Sequence, residues 1–274
     1  MLMSKLCILT DSTAQFTRPN FLGQDLVHVI SFDFEPEAQS PARRSPPFLS
    51  RPRLRPPGTQ EFLRCFTQLS QEFDNLLVIT LSSALGPTFA NAQEAAARYN
   101  DHTSIQMVDS QTTAIGLGLL VQEAAAAASR GDSFEEIERQ VRSTIPRIYQ
   151  LFCIPELTYL AATGYIQTSQ ALVGEMMGLL PIFAMEEGRL TPLEKVRTQR
   201  HLFESFQEFM EEFENPFHIA LMRGAGSNPL RTRPLRTYVQ ESFPQTPFSE
   251  HPLGPHTAAM FGPQCIGLVI MDNG

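Results

Sequence analysis

Two adjacent serines stand where a polar ligand could be held. Ser82 and Ser83 follow the apolar, β-branched run 78–81, and the turn residues Gly86 and Pro87 lead from them into an alanine-rich helical pattern. Hydroxyls and free backbone N–H groups at the end of a buried strand, beside a helix N-terminus, suit an anionic group. Because serines also cap helices routinely, capping is the simpler interpretation of this pair.

Two further polar clusters follow predicted strands. Asp11, Ser12 and Thr13 come after the strand predicted over 6–10, and Asp109 and Ser110 come after the strand predicted over 104–108. Each cluster can be explained as a helix cap or turn. Parallel strands end at the same edge of a sheet, however, so the three clusters together predict a polar cup at that edge.

Sequence motifs for other chemistries are absent. The chain contains no Walker loop, dinucleotide fingerprint, HExxH, CxxC or Gly-x-Ser-x-Gly pattern, so we expect no cofactor and no metal. Ser82 or Ser83 as the nucleophile of a serine hydrolase is a lesser alternative, because no histidine shows a local pattern of an oriented base.

Composition excludes other classes of protein. A net charge of −8 argues against nucleic-acid binding, and no apolar run approaches the roughly 20 residues that span a bilayer. The four cysteines are widely separated, which predicts free thiols and a reducing, cytoplasmic location. The segments 41–57 and 228–255 are rich in arginine and proline, and we expect surface loops there.

Strand and helix patterns alternate through the first half of the chain. Strands are predicted over 6–10, 26–34, 76–81 and 104–108, and helices over 59–73, 88–99, 115–128 and 133–143. Ser133 and Glu136 form a capping-box pattern at the last of these helices. Crossovers of this length favour parallel pairing, so an α/β domain with a doubly wound parallel sheet is predicted for residues 1–155.

The pattern changes after Phe152. A helix is predicted over 170–180, a β-hairpin over 181–197 with a glycine-bearing turn, a helix over 199–213, and strands over 217–222 and 265–271. This order predicts a second α/β domain, residues 156–274, built on a mixed sheet.

The motifs, taken in order, resemble those of the DegV family of bacterial fatty-acid-binding proteins, which has the EDD fold. The segments that carry the resemblance are 8–14 (ILTDSTA), 81–89 (LSSALGPTF), 108–118, 159–166, 188–198 and the end of the chain from Gly254. The resemblance implies two α/β domains with a long-chain fatty acid in a tunnel between them. Its carboxylate would be held by Ser83 and Ser82, and some family members present it to the ATP-binding subunit of a fatty acid kinase.

The chain departs from the family pattern at several positions of the head-group site. Leu54 stands where the family has a threonine, Met260 where it has a histidine, and Tyr165 where it has an arginine. Arg55 is a candidate counter-ion, although it can equally point to solvent. The predicted ligand-binding residues are Ser83, Ser82, Arg55, Thr13, Gly86, Met260 and Leu54. The alternative is a diverged, non-enzymatic module that binds another apolar ligand or a protein partner.

Overall fold

A computed structural model of the chain describes residues 5–35, 53–224 and 232–273. Most of the predicted Arg/Pro loop 41–57, and Asn228 to Arg231 of the second such segment, lie outside the described residues. The strands are β1 (Leu6–Asp11), β2 (Val27–Ile30), β3 (Asp33–Glu35), β4 (Arg53–Arg55), β5 (Asn75–Thr80), β6 (Ser104–Asp109), β7 (Ile148–Cys153), β8 (Leu180–Glu186), β9 (Arg189–Val196), β10 (Pro216–Arg223), β11 (Phe248–Pro252) and β12 (Ile266–Asp272). The helices are α1 (Thr59–Leu69), α2 (Thr88–Arg98), α3 (Ala114–Arg130), α4 (Phe134–Thr144), α5 (Thr158–Ala162), α6 (Thr168–Met176), α7 (Gln199–Met210), α8 (Arg233–Ser242) and α9 (Pro255–Phe261).

The first sheet is parallel, with strand order β2-β1-β5-β6. Alternate residues of its buried strands face opposite sides, so one face packs against α1 and α2 and the other against α3 and α4. The predicted capping box is present: Ser133 accepts a hydrogen bond from Glu136 N, and the Glu136 carboxylate accepts one from Ser133 N. The doubly wound α/β prediction is confirmed.

The second sheet is mixed, with strand order β11-β10-β12-β7-β8-β9. The predicted hairpin is its β8–β9 edge, in which Glu186 pairs with Arg189 across the turn. One face of this sheet packs against α7 and α8. The other face joins α5, α6, α9 and the loop after β5 in one apolar cluster between the two sheets.

Four elements of the second half differ from the sequence prediction. β7 precedes the expected change of pattern and already belongs to the second sheet. α8 and β11 lie within the segment 228–255 that was predicted as loop, and α9 begins at the last residue of that segment. The boundary at residue 155 stays a prediction. The helices in the described part of the chain include none with the length and hydrophobicity of a membrane-spanning segment.

Candidate functional site

The ends of β1, β5 and β6 lie side by side, as the sequence predicts. Thr10 pairs with Ile79, and Thr80 pairs with Asp109, so the loops after the three strands leave the same edge of the sheet. The three polar loops of the predicted cup therefore meet at one edge of the sheet. The hydrogen bonds described below show how the side chains at this edge are used.

Asp11 holds the first two loops together from inside the protein. Its buried carboxylate accepts hydrogen bonds from Thr13 N (3.0 Å), Thr13 Oγ1 (2.6 Å) and Leu81 N (2.7 Å). Burial raises the pKa of Asp11, and these three bonds oppose the rise. The Thr13 hydroxyl, a predicted ligand contact, therefore donates its proton within the protein.

Ser82 is buried and connects the two halves of the molecule. Its Oγ donates to the carbonyl oxygen of Gly188 (2.7 Å) and accepts from Ala84 N (3.3 Å), and its own N–H donates to the carbonyl oxygen of Thr112 (3.0 Å). Gly188 lies in the β8–β9 turn with φ +80°. A Cβ at Gly188 would come 2.3 Å from Ser82 Oγ, so only glycine fits this contact.

Ser83 is exposed and bonded to a carboxylate. Its Oγ donates to Asp109 Oδ2 (2.5 Å) and its N–H donates to Asp109 Oδ1 (3.0 Å). Neither serine caps α2, because Pro87 occupies the N-cap position and makes no side-chain cap bond. Gly86, between the serines and α2, is half-buried, and a Cβ there would meet only Leu81 at 3.9 Å. The hydroxyl protons of Ser82 and Ser83, both predicted to contact the ligand, are therefore donated to acceptors within the protein.

Arg55 is bound by carboxylates. Its guanidinium makes two bonds to Glu61, of 3.0 and 2.8 Å, and a third to Asp33. The bonds from Arg55 lower the pKa of Glu61 to about 2, and the Gly58 N–H assists. The pKa of Arg55 is raised in turn, first by Glu61. A ligand carboxylate at Arg55 would therefore have to compete with two acidic side chains.

The positions that depart from the family pattern are apolar or internally bonded. Leu54 and Met260 belong to the apolar cluster between the sheets, together with Leu81 and Leu85. Tyr165 donates from its hydroxyl to the carbonyl oxygen of Leu85 (2.8 Å), and burial raises its pKa to about 12. Tyr165 therefore ties the loop after β5 to the segment between α5 and α6.

Sequence reasoning missed the partners of the serine pair. Asp109 was noted only as a strand-end residue and Gly188 only as a turn residue, and their pairing with Ser83 and Ser82 has no local sequence signal. Two serine–histidine contacts occur among the described residues, Ser12 Oγ with His256 Nε2 (3.1 Å) and Ser249 Oγ with His218 Nε2 (2.9 Å), and neither involves Ser82 or Ser83. No metal-holding group of three His, Cys, Asp or Glu side chains occurs in the described part of the chain.

A cavity of about 1060 Å³ lies between α6 and the β8–β9 hairpin. Its apolar lining includes Leu157, Ile166, Val173, Met177, Phe183 and Leu193. Three charged side chains, Glu194, Lys195 and Arg197, also line it. The volume lies just above the usual range of small-molecule sites, about 300–1,000 Å³. Leu157, Ile166 and Phe183 also belong to the apolar cluster that reaches Leu81 and Leu85, so apolar side chains are continuous from the cavity to the serine loop.

Comparison with known proteins agrees with this architecture. A DegV domain-containing protein of Caldanaerobacter subterraneus is 33% identical over 151 residues, which are 55% of this chain and 54% of that protein. The crystal structure of a fatty acid binding DegV family protein from Streptococcus agalactiae superposes with a TM-score of 0.82 at 18% identity, covering 99% of this chain and 100% of that one. The Fatty Acid Kinase B3 protein of Streptococcus pneumoniae, solved with linoleic acid, has a TM-score of 0.82 at 17% identity, covering 98% and 100%.

The family itself is shown by sequence. The family profile described as "Uncharacterised protein, DegV family" matches residues 50–273, which include α1 to α9 and both strands of the hairpin. The match confirms the resemblance noted from the motifs. This chain belongs to the DegV family.

Proposed function

We propose that the protein binds one long-chain fatty acid, with the acyl tail in the cavity between α6 and the β8–β9 hairpin. The cavity is the observation that carries the proposal, since its walls are mostly apolar and its volume suits a long flexible chain. Each buried CH₂ contributes about 0.8 kcal/mol, so a long tail supplies ample affinity. Two similar structures support this choice of ligand, since the Streptococcus agalactiae protein is described as fatty acid binding and the Streptococcus pneumoniae protein was solved with linoleic acid.

The chain acts in this proposal as a carrier and not as a catalyst. Similarity to the Fatty Acid Kinase B3 protein supports a partnership with an ATP-binding kinase subunit, to which the bound acid would be presented. Reconstitution with such a subunit and Mg-ATP should give ADP release that needs both proteins and the acid. ADP release by this chain alone would contradict the carrier role.

The serine-loop position for the head group stays a prediction. It requires Ser82 to release Gly188, and Ser83 to release Asp109, before either hydroxyl can donate to a carboxylate. The proposal that a fatty acid is bound does not depend on this position.

Two variants of α6 test the acyl site. Val173 and its neighbour Leu172 are both partly exposed on α6, but only Val173 is among the residues that line the cavity. Val173→Glu places a charge beside the acyl tail and should weaken oleate binding to the delipidated protein at least tenfold. Leu172→Glu, the matched control, should bind like the wild type. If the wild type takes up no oleate and mass spectrometry finds no lipid in the purified protein, the proposed function is wrong.

A further inference from the structure

Ser12 and His256 are in contact at the sheet edge that also carries the serine loop. Ser12 Oγ lies 3.1 Å from His256 Nε2 and accepts a hydrogen bond from Phe32 N (2.8 Å). Ser12 follows β1, and the Asp11 carboxylate ties this loop to Leu81 N, immediately before the serine pair. His256 lies in the first turn of α9. The contact therefore joins the two halves of the molecule beside the predicted head-group position.

The other candidate donors at this edge already have acceptors. The hydroxyl protons of Thr13, Ser82 and Ser83 are donated within the protein, and the Arg55 guanidinium is held by two carboxylates. The imidazole of His256 forms no ion pair in the described ranges. It can therefore gain a positive charge and meet a carboxylate without the loss of an existing ion pair.

Aromatic rings place the imidazole at the border of the apolar cluster between the sheets. Phe34 stacks on it with the ring centroids 5.1 Å apart, and Phe32 meets it edge-on at 6.2 Å. Phe32 belongs to the apolar cluster, as does Met260, one helical turn beyond His256 on α9. An acid whose carboxylate lies at His256 can therefore bury its first methylene groups against this cluster.

Burial decides the protonation state of His256 in the unliganded protein. The ionisable residues on the elements packed against α9 and on the segments that lead into them are Asp11, Asp33, Glu35, Arg53, Arg55, Glu156 and His251. None of them causes the shift: burial lowers the pKa of His256, and a hydrogen bond with the Phe32 backbone opposes the fall. The ring is therefore neutral at pH 7.

A proton on His256 changes what Ser12 can do. A neutral imidazole with its proton on Nδ1 accepts the Ser12 hydroxyl proton at Nε2. When water supplies a second proton to Nε2, that N–H donates to Ser12 Oγ instead, and the serine hydroxyl is free to donate elsewhere. A carboxylate beside the pair then accepts the Ser12 hydrogen bond and lies next to a positive charge. The carboxylate in turn raises the pKa of His256 in the complex.

We infer that Ser12 and His256 hold the carboxylate of the bound acid, and that the acid binds together with one proton, which His256 takes up. The inference rests on the proposed function and adds to it a head-group pair and a proton linkage. It keeps the carboxylate at the same sheet edge as the serine pair. It requires neither Ser82 nor Ser83 to release its acceptor.

Oleate and oleyl alcohol together test the inference, since they share a chain and only oleate carries a carboxylate. Both are titrated calorimetrically into the delipidated full chain between pH 6.5 and pH 8.5, in buffers with different heats of ionisation. This design counts the protons that binding takes up. Oleate should bind with proton uptake and lose affinity as the pH rises, by at most about tenfold per pH unit. Oleyl alcohol should show neither effect.

His256→Gln removes the ionisable group and keeps a polar side chain. It should abolish the proton uptake, weaken oleate about tenfold at pH 7, and leave oleyl alcohol within about twofold of wild type. Ser12→Ala should cause the same selective loss of oleate. His102 is exposed and precedes β6, at the opposite edge of the sheet, so His102→Gln is the matched control and should bind both ligands like the wild type.

The imidazole ring itself reports the proton. The NMR signal of His256, identified by its absence from the His256→Gln spectrum, should move toward its protonated position when oleate is added at pH 7, and not when oleyl alcohol is added. An unmoved signal with oleate bound, or proton uptake that persists in His256→Gln, would overturn the inference. Equal losses of both ligands in His256→Gln would show a structural role and also count against the pair. If the wild type binds neither ligand, the proposed function fails instead.

Discussion

The hydroxyl oxygen of Ser82 lies 2.7 Å from the carbonyl oxygen of Gly188, and this bond joins the loop after β5 to the β8–β9 turn. The two residues lie in loops that leave different sheets, and they are 106 positions apart in the chain. The bond is buried and shielded from water, and it links the two halves of the molecule. A loop that the sequence suggests as a ligand contact is, in this conformation, an internal contact of the protein.

Replacement of Gly188 should be strongly destabilising. Gly188→Ala places a Cβ 2.3 Å from Ser82 Oγ at a φ of +80°. Left-handed backbone alone costs a non-glycine residue about 1–2 kcal/mol, and loss of the serine bond adds about 1 kcal/mol. Urea unfolding should therefore show a loss of about 2–3 kcal/mol. Combining it with Ser82→Ala removes the clashing oxygen, so the double variant should lose less than the sum of the single losses.

Tyr165 should contribute to stability through its hydroxyl. Tyr165→Phe removes the donor to Leu85 O and leaves that carbonyl without this partner. The expected loss is about 1 kcal/mol in the free energy of unfolding. Tyr149 is 38% exposed, so Tyr149→Phe is the matched control and should be nearly neutral. Equal stability of the two variants would show that the Tyr165 bond adds nothing.

The parts of the fold that local patterns determine were predictable. The four helices α1 to α4, the strands β1, β5 and β6, and the β8–β9 hairpin follow from periodicity and turn residues. The single strand predicted over 26–34 is instead two strands, β2 and β3, and β4, which pairs with β3, lies within the predicted loop 41–57. β7 was missed because Gln150 interrupts an apolar run, yet its buried amide donates to Thr113 O and its carbonyl accepts from Thr112 Oγ1. α8 and α9 were missed because proline was interpreted as a loop residue, whereas Pro234 and Pro255 occupy the first turns of these helices.

The candidate site was less predictable than the fold. The positions of Ser82, Ser83 and Thr13 at one sheet edge follow from the strand order, but their partners do not follow from any neighbouring residue. The partners of Arg55 are equally unpredictable from its neighbours in the sequence, because Asp33 and Glu61 lie on β3 and α1. Whether a polar side chain is free for a ligand depends on such long-range contacts.

The Arg55–Glu61 pair should make stability depend on pH in the acid range. The pKa of Glu61 falls from 4.5 to about 2 on folding, mainly through its bonds from Arg55. Because the pKa of Glu61 is lower in the folded state, the ionised carboxylate stabilises the folded protein fully at pH values above the unfolded-state pKa. This contribution is lost as the pH falls through the folded-state pKa. The stability advantage of wild type over Glu61→Gln should thus shrink between about pH 4.5 and pH 2. Urea midpoints across that range measure it, and Arg55→Gln should show the same trend. A constant difference would refute the assignment of the shift to this pair.

Met260 should not tolerate the histidine that the family resemblance places there. Its side chain is 6% exposed, within the apolar cluster that contains Leu81 and Phe261. Met260→His buries an imidazole among apolar neighbours and should cost about 1–3 kcal/mol at neutral pH. The loss should grow below about pH 6.5, because the unfolded chain then binds a proton more readily than the buried ring does. Met260→Leu conserves volume and should cost less than about 1.5 kcal/mol at every pH.

Urea unfolding at pH 7.5 and pH 5.5 compares the stability of the two variants. If the histidine variant is as stable as the leucine variant at both pH values, a polar partner must lie within reach of residue 260.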